Sequence, residues 1–210
     1  MKTSQQGFTL VELAVVLLII GLLLGGVLKG QALIDSAKVK NLAQDFRSLP
    51  ALVHAYQDRF RALPGDDLRA PGHLCARATS CTSAGDGNGV IDGNWDDSTS
   101  SESFLFWQHV RLADLASGST ETSAEGYLPR NAIGGQLGVQ SSSVLGLKGN
   151  LLVCSAAIPG KLVRQLDDQL DDGDPASGTM RAGTGSASAL TAVTAATLED
   201  DQAYTVCAQL

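Results

Sequence analysis

A single carboxylate, Glu12, follows Gly7-Phe8-Thr9-Leu10-Val11 inside a run that is otherwise apolar as far as Leu28. Within a segment long enough to cross a bilayer, such a charge costs roughly 2.5 to 3.5 kcal/mol, so it calls for a partner. A second candidate is the loop from Asp86 to Asp97, where Asp86, Asn88 and Asp92 are oxygen donors on a glycine-bent backbone that suits calcium. When Gly89 is set on the invariant glycine of an EF-hand loop, these three fall on ligand positions and Ile91 on the apolar one. The first and last ligands then fall on Ala84 and Trp95, and the terminal bidentate glutamate is missing. A plain Asp/Gly turn cluster accounts for the same residues. Catalytic chemistry has less to stand on. His54, His73 and His109 are isolated in sequence, no serine lies in a Gly-x-Ser-x-Gly elbow, and Gly85-x-Gly87-x-Gly89 lacks the strand and helix that a phosphate loop needs. Trp107 and His109 read as core and rim of a helix, and the chain is not expected to be an enzyme.

The elements that position Glu12 come next. Phe8 to Leu28 is 21 residues, and at about 1.5 Å per residue a helix of that length spans the roughly 30 Å hydrocarbon core. A removable secretory signal with its cleavage site near Gly25-Gly26 is the alternative, but the amphipathic pattern runs on through Lys29 without a loop. Val39, Leu42, Phe46, Leu49, Val53, Tyr56 and Phe60 recur at alternating spacings of 3 and 4, an apolar seam along a helix. Leu63-Pro64-Gly65 ends it. A helix from Phe8 to Phe60 would be about 80 Å long, more than a small domain can cover, so half of it needs partners outside the chain. Pro50 removes one backbone hydrogen bond and predicts a bend near Phe46–Pro50. Gly21, Gly25, Gly26 and Gly30 weaken the apolar half, which suits close helix packing or local unwinding.

Met1 to about Phe60 resembles the type IV pilins and pseudopilins, whose precursors carry a short basic leader ending in Gly, then Phe, then Thr-Leu-Val-Glu-Leu. The resemblance implies a prepilin peptidase that cuts between Gly7 and Phe8 and methylates the new Phe8 amine. Glu12 then becomes the fifth mature residue and pairs with the Phe8 amine of a neighbouring subunit. A pair within one chain is the alternative, since residues four apart share a helix face. Either pairing neutralises a buried charge, but only the one between chains sets the stagger of subunits in a filament. Gly21 matches the glycine of the pilin helix, while Lys29 stands where a proline is usual.

The remainder bounds the head. The formal charge of -7, with most of the acids in the head, argues against nucleic acid, whose phosphates demand a basic patch. Four cysteines fit an oxidising compartment. Cys75 and Cys81 are six apart in a loop, Cys154 and Cys207 each follow a valine in a strand-like run, and these are the expected pairs; zinc is disfavoured by the absence of Cys-x-x-Cys. Thr99-Ser100-Ser101-Glu102 has capping-box spacing ahead of a helix through Phe104 to Leu115. Ile133–Val139, Val144–Cys154 and Ala203–Ala208 read as strands, and Lys161–Leu170 as a short helix stopped at Asp172-Gly173. The expected fold is α+β, type IV pilin-like: a leader (1–7), a membrane-spanning and polymerising half-helix (8–28), an amphipathic half-helix (29–63) and a head with an antiparallel sheet (64–210).

The expected function is a structural subunit of a type IV pilus, possible in a minor role, with a type II secretion pseudopilin and a membrane-anchored module that never polymerises as alternatives. The implied partners are prepilin peptidase, an inner-membrane assembly platform, other pilin or pseudopilin subunits and, before assembly, membrane lipid. The implied location is the bacterial inner membrane, single-pass, with the N-terminus cytoplasmic and the head periplasmic or extracellular, and then the filament.

Overall fold

The computed structural model describes residues 9–75 and 81–209 of the chain. It divides into two compact units, Met1–Ala37 and Lys38–Leu210. Helix α1, Leu10–Phe60, is 51 residues long and continues through Pro50. It ends where Arg61 takes a left-handed conformation (φ 57°) while its N–H still reaches the Gln57 carbonyl at 2.8 Å.

In the second unit the seam does what its spacing predicts. Val39, Leu42, Phe46, Leu49, Val53 and Tyr56 are all buried. All but Tyr56 join Phe106, Val110, Val139, Val153, Ile158, Leu162, Leu166 and Val206 in one core. The partners come from α3 (Glu102–Leu112), α4 (Gly160–Leu170) and a five-stranded antiparallel sheet. Its strands are β1 (Leu137–Gln140), β2 (Leu152–Pro159), β3 (Met180–Thr184), β4 (Thr191–Ala192) and β5 (Ala203–Gln209), in the order β1-β2-β5-β3-β4. The fold is α+β and consistent with the pilin type. Alternation along the strands separates the two faces of the sheet. Val153, Val206 and Ala208 face the helices, whereas Leu152, Cys154 and Cys207 join Trp95, Val144 and Leu147 in a second cluster. Cys154 and Cys207 are register partners in β2 and β5 and form a disulfide; Cys75 and Cys81 form another.

Several boundaries differ from the sequence expectation, each for a local reason. Val144–Cys154 is not one strand, because Leu145 and Gly146 both have positive φ and fold Val144 back onto Leu147. Strand β2 therefore starts at Leu152 and runs past Cys154, through a bulge at Ala157 (φ 59°). Ile133 belongs to a turn closed by Asn131, whose Oδ1 accepts from the N–H groups of Ile133 and Gly135. The cap of α3 is Ser101, whose Oγ accepts from Phe104 N–H, so Thr99 and Glu102 are not a capping box. Strands β3 and β4 lie in segments rich in Gly, Ala and Thr that carry little pattern.

Candidate functional site

Gly7 and Phe8 lie outside the described residues, and Thr9 opens the description. The Thr9 N–H and Oγ1 donate to Glu12 Oε2 at 2.8 and 2.7 Å, and the Glu12 N–H donates to Thr9 Oγ1 at 3.3 Å. This is a reciprocal capping box, and its Thr-x-x-Glu spacing stands in the sequence ahead of the apolar run. The carboxylate is thereby aimed at the positive end of α1. Both donors are neutral, so they satisfy one oxygen without cancelling the charge.

Every residue from Leu10 to Lys29 is exposed, with Leu10, Leu17 and Leu22 at 83%, 70% and 71%. Among the described residues α1 is the one helix long and apolar enough to cross a membrane. A Cβ added at Gly21, Gly25, Gly26 or Gly30 would meet nothing within 4 Å, so packing within the chain does not require these glycines.

The loop that carries Asp86, Asn88 and Asp92 is wrapped around two buried acids from outside it, Asp66 and Glu102. Asp66 accepts from the N–H groups of Gly87, Asn88 and Gly89 at 2.7 to 3.0 Å. Glu102 accepts from those of Asp86 and Asp92, both at 2.9 Å. Burial raises both carboxyls above their ordinary values, outweighing the backbone N–H groups, and at Glu102 the charges of Asp66 and Asp86 push the same way. Asn88 Nδ2 donates to Asp86 Oδ2 and to Asp92 Oδ2, each at 3.0 Å. Its amide nitrogen therefore occupies the gap where a cation shared by those two acids would sit. Its Oδ1 accepts from Val90 N–H at 2.8 Å. As folded, these bonds close the turn on itself, and one oxygen of each of Asp66, Asp86 and Glu102 lies within 4.8 Å of the others. Only long-range folding reveals Asp66 and Glu102, since neither lies within the acidic loop.

Two of the three histidines, far apart in sequence, come together around Asp67 and Tyr56. Tyr56 Oη donates to Asp67 Oδ2 at 2.9 Å, and His73 Nδ1 lies 2.6 Å from the same oxygen. Burial pushes the Asp67 carboxyl up, but His73, the Arg69 N–H and Tyr56 together bring it below its ordinary value. His109 is fully buried, accepting from Gly65 N–H at Nδ1 (2.9 Å) and facing the Ser83 carbonyl with Nε2 (3.1 Å). These groups are engaged in structural bonds, and no described cysteine is free. Nothing here assembles a nucleophile beside a base.

Residues 2–28 match the family model described as the prokaryotic N-terminal methylation motif. No curated protein and no solved structure matches the chain. The N-terminal motif, the exposed apolar helix after it and the α+β head with two disulfides together support a type IV pilin-like prepilin with a class III signal.

Proposed function

We propose that this chain is a structural subunit of a type IV pilus, in a minor role, cut between Gly7 and Phe8, methylated on the Phe8 amine, and held in the filament through Glu12. The observation that carries the reading is a charged carboxylate with only neutral donors on a helix whose apolar surface is exposed. Lipid covers that surface before assembly, and neighbouring helices cover it afterwards. The methylated amine of an adjoining subunit supplies the positive charge that Thr9 lacks, and in an apolar surround a paired charge is far less costly than a lone one. The glycines with open Cβ positions support the same reading, because they let neighbouring helices approach closely. In this reading the uncut chain sits once across the inner membrane with Lys2 inside and the head outside.

Glu12→Ala is the direct test. Membrane insertion and leader removal should remain normal, while the amount recovered in sheared filaments falls at least tenfold, about 1.4 kcal/mol or more of lost assembly energy. Unchanged recovery would refute the assembly role. If the wild-type chain is never found in any filament, it is a membrane-anchored module instead, and recovery only in a secretion pseudopilus would replace the pilus reading. Mass spectrometry of the mature N-terminus should give methylated Phe8, and an intact Met1 would count against every filament reading.

A further inference from the structure

We infer that the C-terminal end of α4 is a divalent-cation site, with Asp167, Asp171 and Asp172 as carboxylate ligands and calcium as the ion. Asp167 is 1% exposed, and neither of its side-chain oxygens has a hydrogen-bond partner. Buried carboxylates are ordinarily hydrogen-bonded or paired, so an orphan of this kind marks a missing partner. One oxygen of each of Asp167, Asp171 and Asp172 lies within 4.8 Å of the others. Oxygens this close can share one calcium ion, with ion–oxygen distances of about 2.3–2.6 Å, and the irregular set of carboxylates suits its flexible coordination better than the near-ideal octahedron that magnesium demands.

The electrostatics of the helix point the same way. The C-terminus of a helix carries partial negative charge and favours cations. Helix α4 has no basic residue in its last turn, and Asp167, Asp168, Asp171 and Asp172 gather there instead. Asp171 and Asp172 place two further carboxylates beside the buried, unpartnered Asp167. Arg181 acts on Asp172, but its guanidinium donates to the Leu145 carbonyl at 3.1 Å.

The following turn holds the two outer ligands in place. Asp171 accepts from Thr179 Oγ1 and Met180 N–H at 3.0 and 2.8 Å, and Asp172 from Ser177 Oγ and Asp174 N–H at 2.6 and 2.9 Å. Each carboxylate oxygen has a second lone pair, so these bonds orient the groups and still leave capacity for an ion. Asp171 is half-buried and Asp172 exposed, which gives a hydrated ion its way in to Asp167.

The site does not depend on filament assembly and is tested separately from it. Calorimetric titration of the full chain in detergent with calcium chloride should show saturable binding, weaker with magnesium chloride. About 5 mM calcium should raise the Tm of the head by about 4 °C, the shift expected for a site of extracellular affinity. Asp167→Asn keeps the shape, removes the charge, and should weaken calcium binding at least tenfold; Asp172→Asn should do so too if the first variant misfolds. Asp92→Asn, in the other acidic loop, should bind like wild type. No heat and no Tm shift in the wild type would overturn the site, leaving Asp167 a buried protonated acid. Binding lost in Asp92→Asn but kept in Asp167→Asn would overturn it as well.

Discussion

The Gly65 N–H that donates to His109 Nδ1 requires that nitrogen to carry no proton, and the Ser83 carbonyl then takes the proton on Nε2. His109 is therefore neutral in the fold, and burial lowers its pKa below the ordinary imidazole value, with the Ser83 carbonyl and Asp67 opposing only in part. The sign of the linkage follows. Above the unfolded value of about 6.5 both states are neutral and stability is complete; as pH falls below it, the unfolded chain takes up a proton that the folded chain refuses, and stability is lost. The raised carboxyls of Asp66, Glu102 and Asp167 pull the opposite way. Urea unfolding at pH 7 and pH 5 should accordingly be compared between wild type and His109→Gln. The variant should be less stable at pH 7 and should close part of that gap at pH 5; a gap independent of pH would mean the imidazole does not titrate as argued. Glu12 shows the complementary case, an acid whose hydrogen bonds are local and whose charge is not answered locally. The Thr-x-x-Glu spacing makes its cap legible from sequence, because capping involves only neighbouring residues.

Elements were legible where periodicity is strong. The 3-and-4 spacing marked α1, and Leu162, Val163, Leu166 and Leu170 marked α4, because one helix face must be apolar wherever it meets a core. Strand ends were not legible, because they depend on turns and on partners. Gly138 shows how close those partners come: a Cβ there would lie 1.9 Å from the Trp95 carbonyl oxygen, a backbone atom with no room to yield. Gly138→Ala should destabilise the head by about 3 kcal/mol through forced separation of β1 from the Trp95 segment, read as a lower urea midpoint. Gly21→Ala, with nothing within 4 Å, should leave that midpoint unchanged. Equal effects at the two positions would mean that helix and strand propensity, rather than close approach, decides both.

For the molecule as a whole, the disulfides differ in what they constrain. Cys154–Cys207 closes a separation of 53 residues and ties β5 to β2, whereas Cys75–Cys81 closes only 6. On loop entropy the first contributes about 4 kcal/mol and the second about 2. Replacing Cys154 and Cys207 by alanine should therefore lower Tm more than replacing Cys75 and Cys81, and the reverse order in calorimetry would place the weight on local loop geometry instead. The N-terminal motif, the membrane-length apolar run, the seam of α1 and the alternation of β5 are properties of contiguous residues, and each can be read without knowing any distant contact. The sequence alone thus carries the precursor motif, and with it the residues Gly7, Phe8 and Glu12 on which the proposed processing and assembly rest. The strand order β1-β2-β5-β3-β4, the closure of the Asp86–Asp92 turn on Asp66 and Glu102, the meeting of His73 with Asp67 and the burial of Asp167 were decided by tertiary structure. The physical reason is that burial and pairing of a polar group depend on which distant segments fold over it, and spacing along the chain carries no record of that.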